Sequence, residues 1–158
     1  MGANFVADLQ VDPVTGFGNR AAMLAELAAA IAPGSDPSVL AIFSLDGSSD
    51  FREELGEEVS NEVLGRLAQE FARFVEPAGA CYAPRRHEFA AMFHLPWPKV
   101  ETVLAAAAIA VRREGAIFSI STTFGIAHLP DDADTPIAAL MVADQRRVAA
   151  QRRKRAFA

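Results

Sequence analysis

The chain is poor in the residues that staple, anchor or ligate. Its 158 residues include one cysteine, Cys81, one tryptophan and three histidines. A lone thiol closes no internal disulfide, which fits a reducing cytoplasm. Long apolar runs are also missing. The longest near-apolar stretch, Val100 to Val111, spans 12 residues and contains Glu101, whereas a bilayer-spanning helix needs about 20. No basic residue precedes Arg20, and Asn4, Asp8 and Asp12 interrupt any apolar start, so no signal peptide is expected. Disorder is excluded from the other side: 51% of the chain is hydrophobic and 22% charged, enough apolar surface for one packed domain of 16.9 kDa.

Positive charge is scarce except at one end. The net charge is −5, yet six of the 15 Lys and Arg fall between Arg146 and Arg155, a segment without Asp or Glu. The remainder sets nine basic against 20 acidic residues, a net of −11. A nucleic-acid-binding domain spreads positive charge over a face, so no nucleic acid is expected. Membrane contact is expected only through the basic 146–155 segment, if anywhere. The favoured reading of that segment is that its cations complement the negative end of the last helix and run into a linker.

Residues 1–11 read as a lead-in or linker, such as a fragment cut from a longer protein would carry. Asp12-Pro13 starts a turn, and Asn19 caps a helix from Arg20 to about Ile31, stopped by Pro33-Gly34. Ser38 to Phe43 reads as a buried strand, after which Gly47-Ser48-Ser49 breaks the chain. Val59, Val63, Leu64, Leu67, Phe71 and Phe74 recur at helical spacing between Glu57 and Phe74. A hairpin follows, with Ala80–Ala83 and Glu88–Phe93 flanking Pro84-Arg85-Arg86-His87. A helix from Pro98 to Arg113, a strand from Ile117 to Ile126 and a helix from Thr135 to about Arg153 complete the chain. Adjacent strands mixed with helices imply an α+β sandwich with a mostly antiparallel sheet.

This order resembles the GGDEF domains, the diguanylate cyclases that join two GTP molecules into cyclic di-GMP. The family's opening D-x-L-T-G-L-x-N-R is matched by Asp12-Pro13-Val14-Thr15-Gly16-Phe17-Gly18-Asn19-Arg20. Its late strand is matched by Ser119 to Ala127 followed by Pro130-Asp131-Asp132, and its last helix by Ala143-Asp144. The resemblance covers residues 12–155 as one domain, leaves 156–158 as a tail, and implies a five-stranded sheet of nucleotidyl-cyclase type.

The resemblance also marks what is changed. The name-giving motif falls on Arg85-Arg86-His87-Glu88-Phe89, so only Glu88 and Phe89 match. The family's two glycines suit a tight turn and a close nucleotide; Arg85 and Arg86 add bulk there, and a rebuilt turn with Pro84 at its second position is expected. His87 replaces a Mg²⁺-binding carboxylate, and Ser44 replaces the aspartate that is the other main ligand, while Asp46 matches a secondary aspartate. Mg²⁺ takes hard oxygen ligands. Arg52 and Asn61 stand where the family reads guanine with Asn and Asp. Gln151 replaces the triphosphate-binding lysine, and Arg155 matches the arginine four residues beyond it. The R-x-x-D window of product inhibition reads Glu76-Pro77-Ala78-Gly79.

The expectation is therefore a degenerate domain without catalytic residues, cofactor or metal. Its role would be regulatory, dimerising or scaffolding, with another domain or protein of a cyclic di-GMP pathway, or a second copy, as partner. A GTP- or cyclic di-GMP-binding sensor and a weak cyclase using Glu88 and Asp46 are the alternatives. Other chemical-looking residues take plainer readings. Cys81 is core, Trp97 anchors a helix start, His94 and His128 end strands, and Asp131, Asp132 and Asp134 belong to a capped loop. Arg85 and Arg86 read as a charged hairpin tip rather than a phosphate clamp.

Overall fold

The structure, a computed structural model, describes residues 10–115 and 119–156, the side chain of Ser49 excepted. Helix α1 (Arg20–Ala30) precedes strand β1 (Ser38–Asp46), then helices α2 (Ser48–Leu55) and α3 (Glu57–Val75). The hairpin β2 (Gly79–Arg85) and β3 (Glu88–Phe93) leads to α4 (Trp97–Ala110), β4 (Arg113–Glu114), β5 (Ser119–Leu129) and α5 (Pro136–Ala156). The strands form one antiparallel sheet in the order β2-β3-β1-β5-β4.

Strand β1 lies in the middle and is buried along all but its last residue, which is why it reads as a continuous apolar run rather than an alternating one. Its side chains still alternate between two cores. Val39, Ala41, Phe43 and Leu45 meet Leu67 and Phe71 of α3 and Leu104 of α4. Leu40 and Ile42 meet Leu27 of α1 and Leu140 and Ala143 of α5. Ser44 and Asp46 share the parity of Leu40 and Ile42, so they turn toward α5 as β1 reaches its end. Helix α5 lies directly on β5: a Cβ at Gly125 would strike the α5 backbone at Ala143 and Arg147.

The opening nonapeptide is a closed loop. Asp12 Oδ2 accepts from Thr15 N at 2.9 Å and from Thr15 Oγ1 at 2.7 Å, and Asn19 caps α1 by accepting from Ala22 N at 3.1 Å. Phe17 then reaches the core, its ring 5.5 Å from Phe89 and 6.0 Å from Phe71. Phe89, one of the two matching motif residues, is thus a packing residue that ties the hairpin to α3.

Several expectations are corrected. Val11 is paired rather than lead-in, bridging Gly18, while residues 1–9 fall outside the description. The Gly47-Ser48-Ser49 break is the start of α2: Gly47, at φ +96°, turns the chain and the helix begins at once. Helix α4 ends at Ala110, not Arg113, because the Arg113 guanidinium caps the carbonyls of Ala110 and Arg112, both at 2.8 Å, and its backbone pairs with Ile120. Strand β5 runs on to Leu129; its expected start at Ile117 lies outside the described residues. Helix α5 extends to Ala156.

The hairpin turn also differs. Arg85 pairs with Glu88, so Arg86 and His87 are its two central residues and Pro84 is not in the turn. None of the described non-glycine residues has positive φ, so the turn is not of the primed type that matches strand twist. The mismatch is absorbed by a bulge: Tyr82 pairs with Ala90 and Arg85 with Glu88, leaving one extra residue on β2. Pro84 sits in that bulge, where its missing N–H interrupts no ladder.

Candidate functional site

Six positions singled out by the sequence meet at the end of β1. Ser44, Asp46, His87, Glu88, Gln151 and Arg155 all border one cavity of about 390 Å³ between the hairpin turn and α5. Ser44, Asp46 and Gln151 are bonded to one another. Ser44 Oγ donates to Asp46 Oδ1 at 3.0 Å, so the 2.9 Å contact with Thr123 Oγ1 is donated by the threonine. Gln151 Nε2 donates to the same Asp46 oxygen at 2.8 Å. A hydroxyl and an amide therefore occupy one carboxylate oxygen without any added cation.

His87 is held from two sides. Its carbonyl accepts from Leu45 N at 2.9 Å, and its Nδ1 lies 2.7 Å from Ser48 Oγ. Ser48 spends its single proton on the Leu45 carbonyl at 2.8 Å, so Nδ1 must be the donor and Nε2 the unprotonated nitrogen of the neutral ring. Burial, with the charges of Arg86 and Arg52, holds the imidazole pKa below its ordinary value. Ser48 is a residue that sequence reasoning missed, since nothing in its spacing points to position 87.

Glu88 is largely withdrawn from solvent, 3.7 Å from Arg85 Nε. Burial raises its pKa, and Arg85, Arg147 and Arg20 partly oppose the rise. Arg147, a further missed residue of this cavity, is paired with Asp144 at 2.9 Å.

Arg86 leaves the turn on the other side. It borders a second cavity, of about 320 Å³, walled by Val14, Thr15, Asn19, Arg20 and Leu64 among others. Its Nη2 donates to Asn61 Oδ1 on α3 at 2.5 Å and sits 3.4 Å from Ser60 Oγ. Arg86 is thus engaged, not an idle charged tip, whereas Arg85 is exposed. Arg52 borders neither cavity and lies 3.8 Å from Glu57. In the R-x-x-D window, a Cβ at Gly79 would strike the Met92 carbonyl, so that position has no room for an aspartate.

The remaining candidates have structural explanations. Cys81 lies in β2 with its thiol pushed up to about 12, mainly by burial and then by Glu76. His128 packs edge-on against Trp97 with ring centres 5.1 Å apart, and His94 follows β3 near Glu26. Asp132 accepts from His128 N at 2.8 Å and Arg146 Nη1 at 2.6 Å, which depresses its pKa. Thr135, rather than an aspartate, caps α5 through Ala138 N at 3.1 Å.

The donor set does not fit Mg²⁺. The two positions that the resemblance gives to metal-binding carboxylates hold a hydroxyl and an imidazole, both hydrogen-bonded within the protein. Among the described residues, no group of three or more His, Cys, Asp or Glu side chains is placed to hold a metal ion.

A five-stranded antiparallel sheet between two helical layers, with the β2–β3 turn beside the end of β1, defines the cyclase-like class. The family model for the diguanylate cyclase GGDEF domain matches residues 9–156, and the chain belongs to that family. Among solved structures, the GGDEF domain of FimX from Pseudomonas aeruginosa matches at 23% identity and TM-score 0.79, over 91% of this chain and 94% of that one. The GGDEF domain of DgcB from Caulobacter crescentus, solved in complex with c-di-GMP, matches at 22% and 0.77, over 91% and 88%. Diguanylate cyclase SiaD from Pseudomonas aeruginosa, solved in complex with its activator SiaC, matches at 20% and 0.79, over 96% of this chain and 62% of that one. These likenesses show the fold. No curated protein matches the chain. No helix among the described residues is long and apolar enough to cross a membrane.

Proposed function

We propose that residues 12–155 form a GGDEF domain that does not make cyclic di-GMP and serves a cyclic di-GMP pathway as a regulatory, dimerising or scaffolding module. The observation that carries this reading is the closed network at the end of β1, in which Ser44 and Gln151 occupy Asp46 and His87 donates to Ser48. Joining nucleotides needs metal to neutralise triphosphate charge and to activate the attacking hydroxyl. Glu88 alone, partly buried beside Arg85, does not supply that. Gln151 brings no charge to a triphosphate, which leaves Arg155 and the Asp144-paired Arg147 as the cavity's cations.

The same reading makes the partner a protein. SiaD, of similar fold, was solved with its activator bound, which supports reading the partner of this domain as another domain, a regulator or a second copy. A cytoplasmic setting follows from that pathway. Incubation with GTP and Mg²⁺ or Mn²⁺, followed by chromatography, tests the reading. No cyclic di-GMP is expected; turnover abolished by Glu88→Ala would overturn it.

A further inference from the structure

We propose that the outer face of α5 docks a second copy of this chain, the two helices lying antiparallel about a two-fold axis. This rests on the dimerising form of the reading above and gives it a surface. Helix α5 turns Ala139, Leu140 and Ala143 into the core. Away from them, Ile137, Met141, Asp144, Val148, Arg152 and Arg155 recur three or four residues apart and so share one stripe. Ile137 and Met141 are 52% and 56% exposed, although both are large and apolar. They adjoin a cleft of about 140 Å³ with Ile42 and Leu140 in its lining. The apolar surface there is a continuous patch rather than two scattered side chains.

The helix is also polarised in charge. Arg146 and Arg147, near its middle, are paired with Asp132 and Asp144 within the chain. Arg152, Arg153, Lys154 and Arg155 are exposed, with no ion pair among the described residues, and no acidic residue follows Asp144. Their own helix end offers about half a negative charge, which leaves most of four cations unmatched. Asp134, exposed and likewise without an ion pair among the described residues, stands just before the other end. Turning one α5 end for end over another matches these features. Setting Met141 against Val148 of the second copy also sets Ile137 against the aliphatic stem of Arg152, and Asp134 against Arg155. Symmetry makes each contact twice. The opposed helix dipoles favour the same arrangement, whereas a parallel pairing stacks the basic ends. An anionic membrane suits the basic end alone, because lying along the helix it also meets Asp134 and Asp144. Two helices of about 31 Å make a small interface, so the dimer is expected to be reversible.

Sedimentation velocity on the full chain, over a concentration series at low salt, tests this. The wild type is expected to pass from 16.9 kDa to twice that mass. Met141→Glu is expected to raise the dissociation constant at least about tenfold, and Arg155→Glu to raise it less. Adding Asp134→Arg to Arg155→Glu is expected to bring the constant back toward the wild-type value, which damage to the fold would not do. All three positions are exposed, so the variants keep the fold. A wild type that stays monomeric, a dimer indifferent to Met141→Glu, or no recovery by the charge swap would overturn the proposal. A monomer that instead floats with phosphatidylglycerol vesicles would overturn it in favour of a membrane. The readout is separate from turnover. Cyclic di-GMP made by the wild type would overturn the non-catalytic reading alone, and a monomer that makes none would overturn the α5 proposal alone.

Discussion

Gln151 Nε2 and Asp46 Oδ1 lie 2.8 Å apart across 105 residues of sequence. The bond joins the last helix to the end of the central strand. It also occupies one oxygen of the carboxylate that a metal would have to recruit. Truncating Asp46 to Ala strands the donors of Ser44 and Gln151 in a half-buried setting. A loss of about 1.5–3 kcal/mol in urea denaturation is expected, the range for hydrogen bonds to a charged group. Gln151→Ala is expected to cost less, because Asp46 keeps Ser44.

His87 makes the fold sensitive to mild acid. Burial and the Arg86 and Arg52 charges lower its folded pKa below the ordinary value of 6.5, so the unfolded chain binds more protons between those two values. The stabilisation from this group is fully present above pH 6.5. It falls away as pH drops through the folded value. Urea midpoints are expected to decline from pH 7 to pH 5.5, less steeply in His87→Gln, and nitrogen chemical shifts are expected to show the Nδ1–H tautomer at pH 7. An Nε2–H tautomer would contradict the Ser48 geometry.

Gly125 marks where α5 rests on β5. Because a Cβ there meets α5 backbone at Ala143 and Arg147 rather than a movable side chain, Gly125→Ala forces the helix off the sheet. A cost of about 2–3 kcal/mol is expected, the upper range for overpacking, visible as a lowered melting temperature. Gly16→Ala is no neutral control, since Gly16 has φ +76°. Ala149→Ser, on α5, serves better.

Cys81 is expected to be inert in the native state. Its thiol is pushed up to about 12 by burial and by Glu76, so almost no thiolate exists at pH 8. Labelling with a disulfide reagent is expected to proceed only after denaturation. Rapid labelling of the folded protein would contradict the burial of the Cys81 thiol.

Much of the fold was legible in residue patterns, and the exceptions have physical causes. Helix α3 shows because its apolar residues repeat at helical spacing, and β1 because both its faces are buried. Helix α2 does not show: its eight residues, rich in Asp, Glu and Arg, carry only Phe51 and Leu55 as large apolar groups, and a glycine precedes it. Strand β4, two residues long, is too short for any periodicity. The bulge at Pro84 hides because it depends on a turn lacking positive φ, a choice made by the whole hairpin.

For the site, the substituted positions were readable, but what those substitutes bind was not. Ser44 and His87 are visibly not carboxylates in the sequence. Their partners are Thr123 and Ser48, remote or unremarkable in the chain. Arg86 looked like an exposed tip because its acceptor on α3 lies 25 residues earlier. Only the antiparallel return of the hairpin beside α3 brings the two together.

The central claim is that the end of β1 holds no divalent cation against a nucleotide. Titrating Mn²⁺ into the protein with a non-hydrolysable GTP analogue, while following backbone amides by NMR, tests it most directly. The account predicts no selective paramagnetic broadening at Ser44, Asp46, His87 and Glu88. Strong broadening confined to those residues at stoichiometric Mn²⁺ would contradict it.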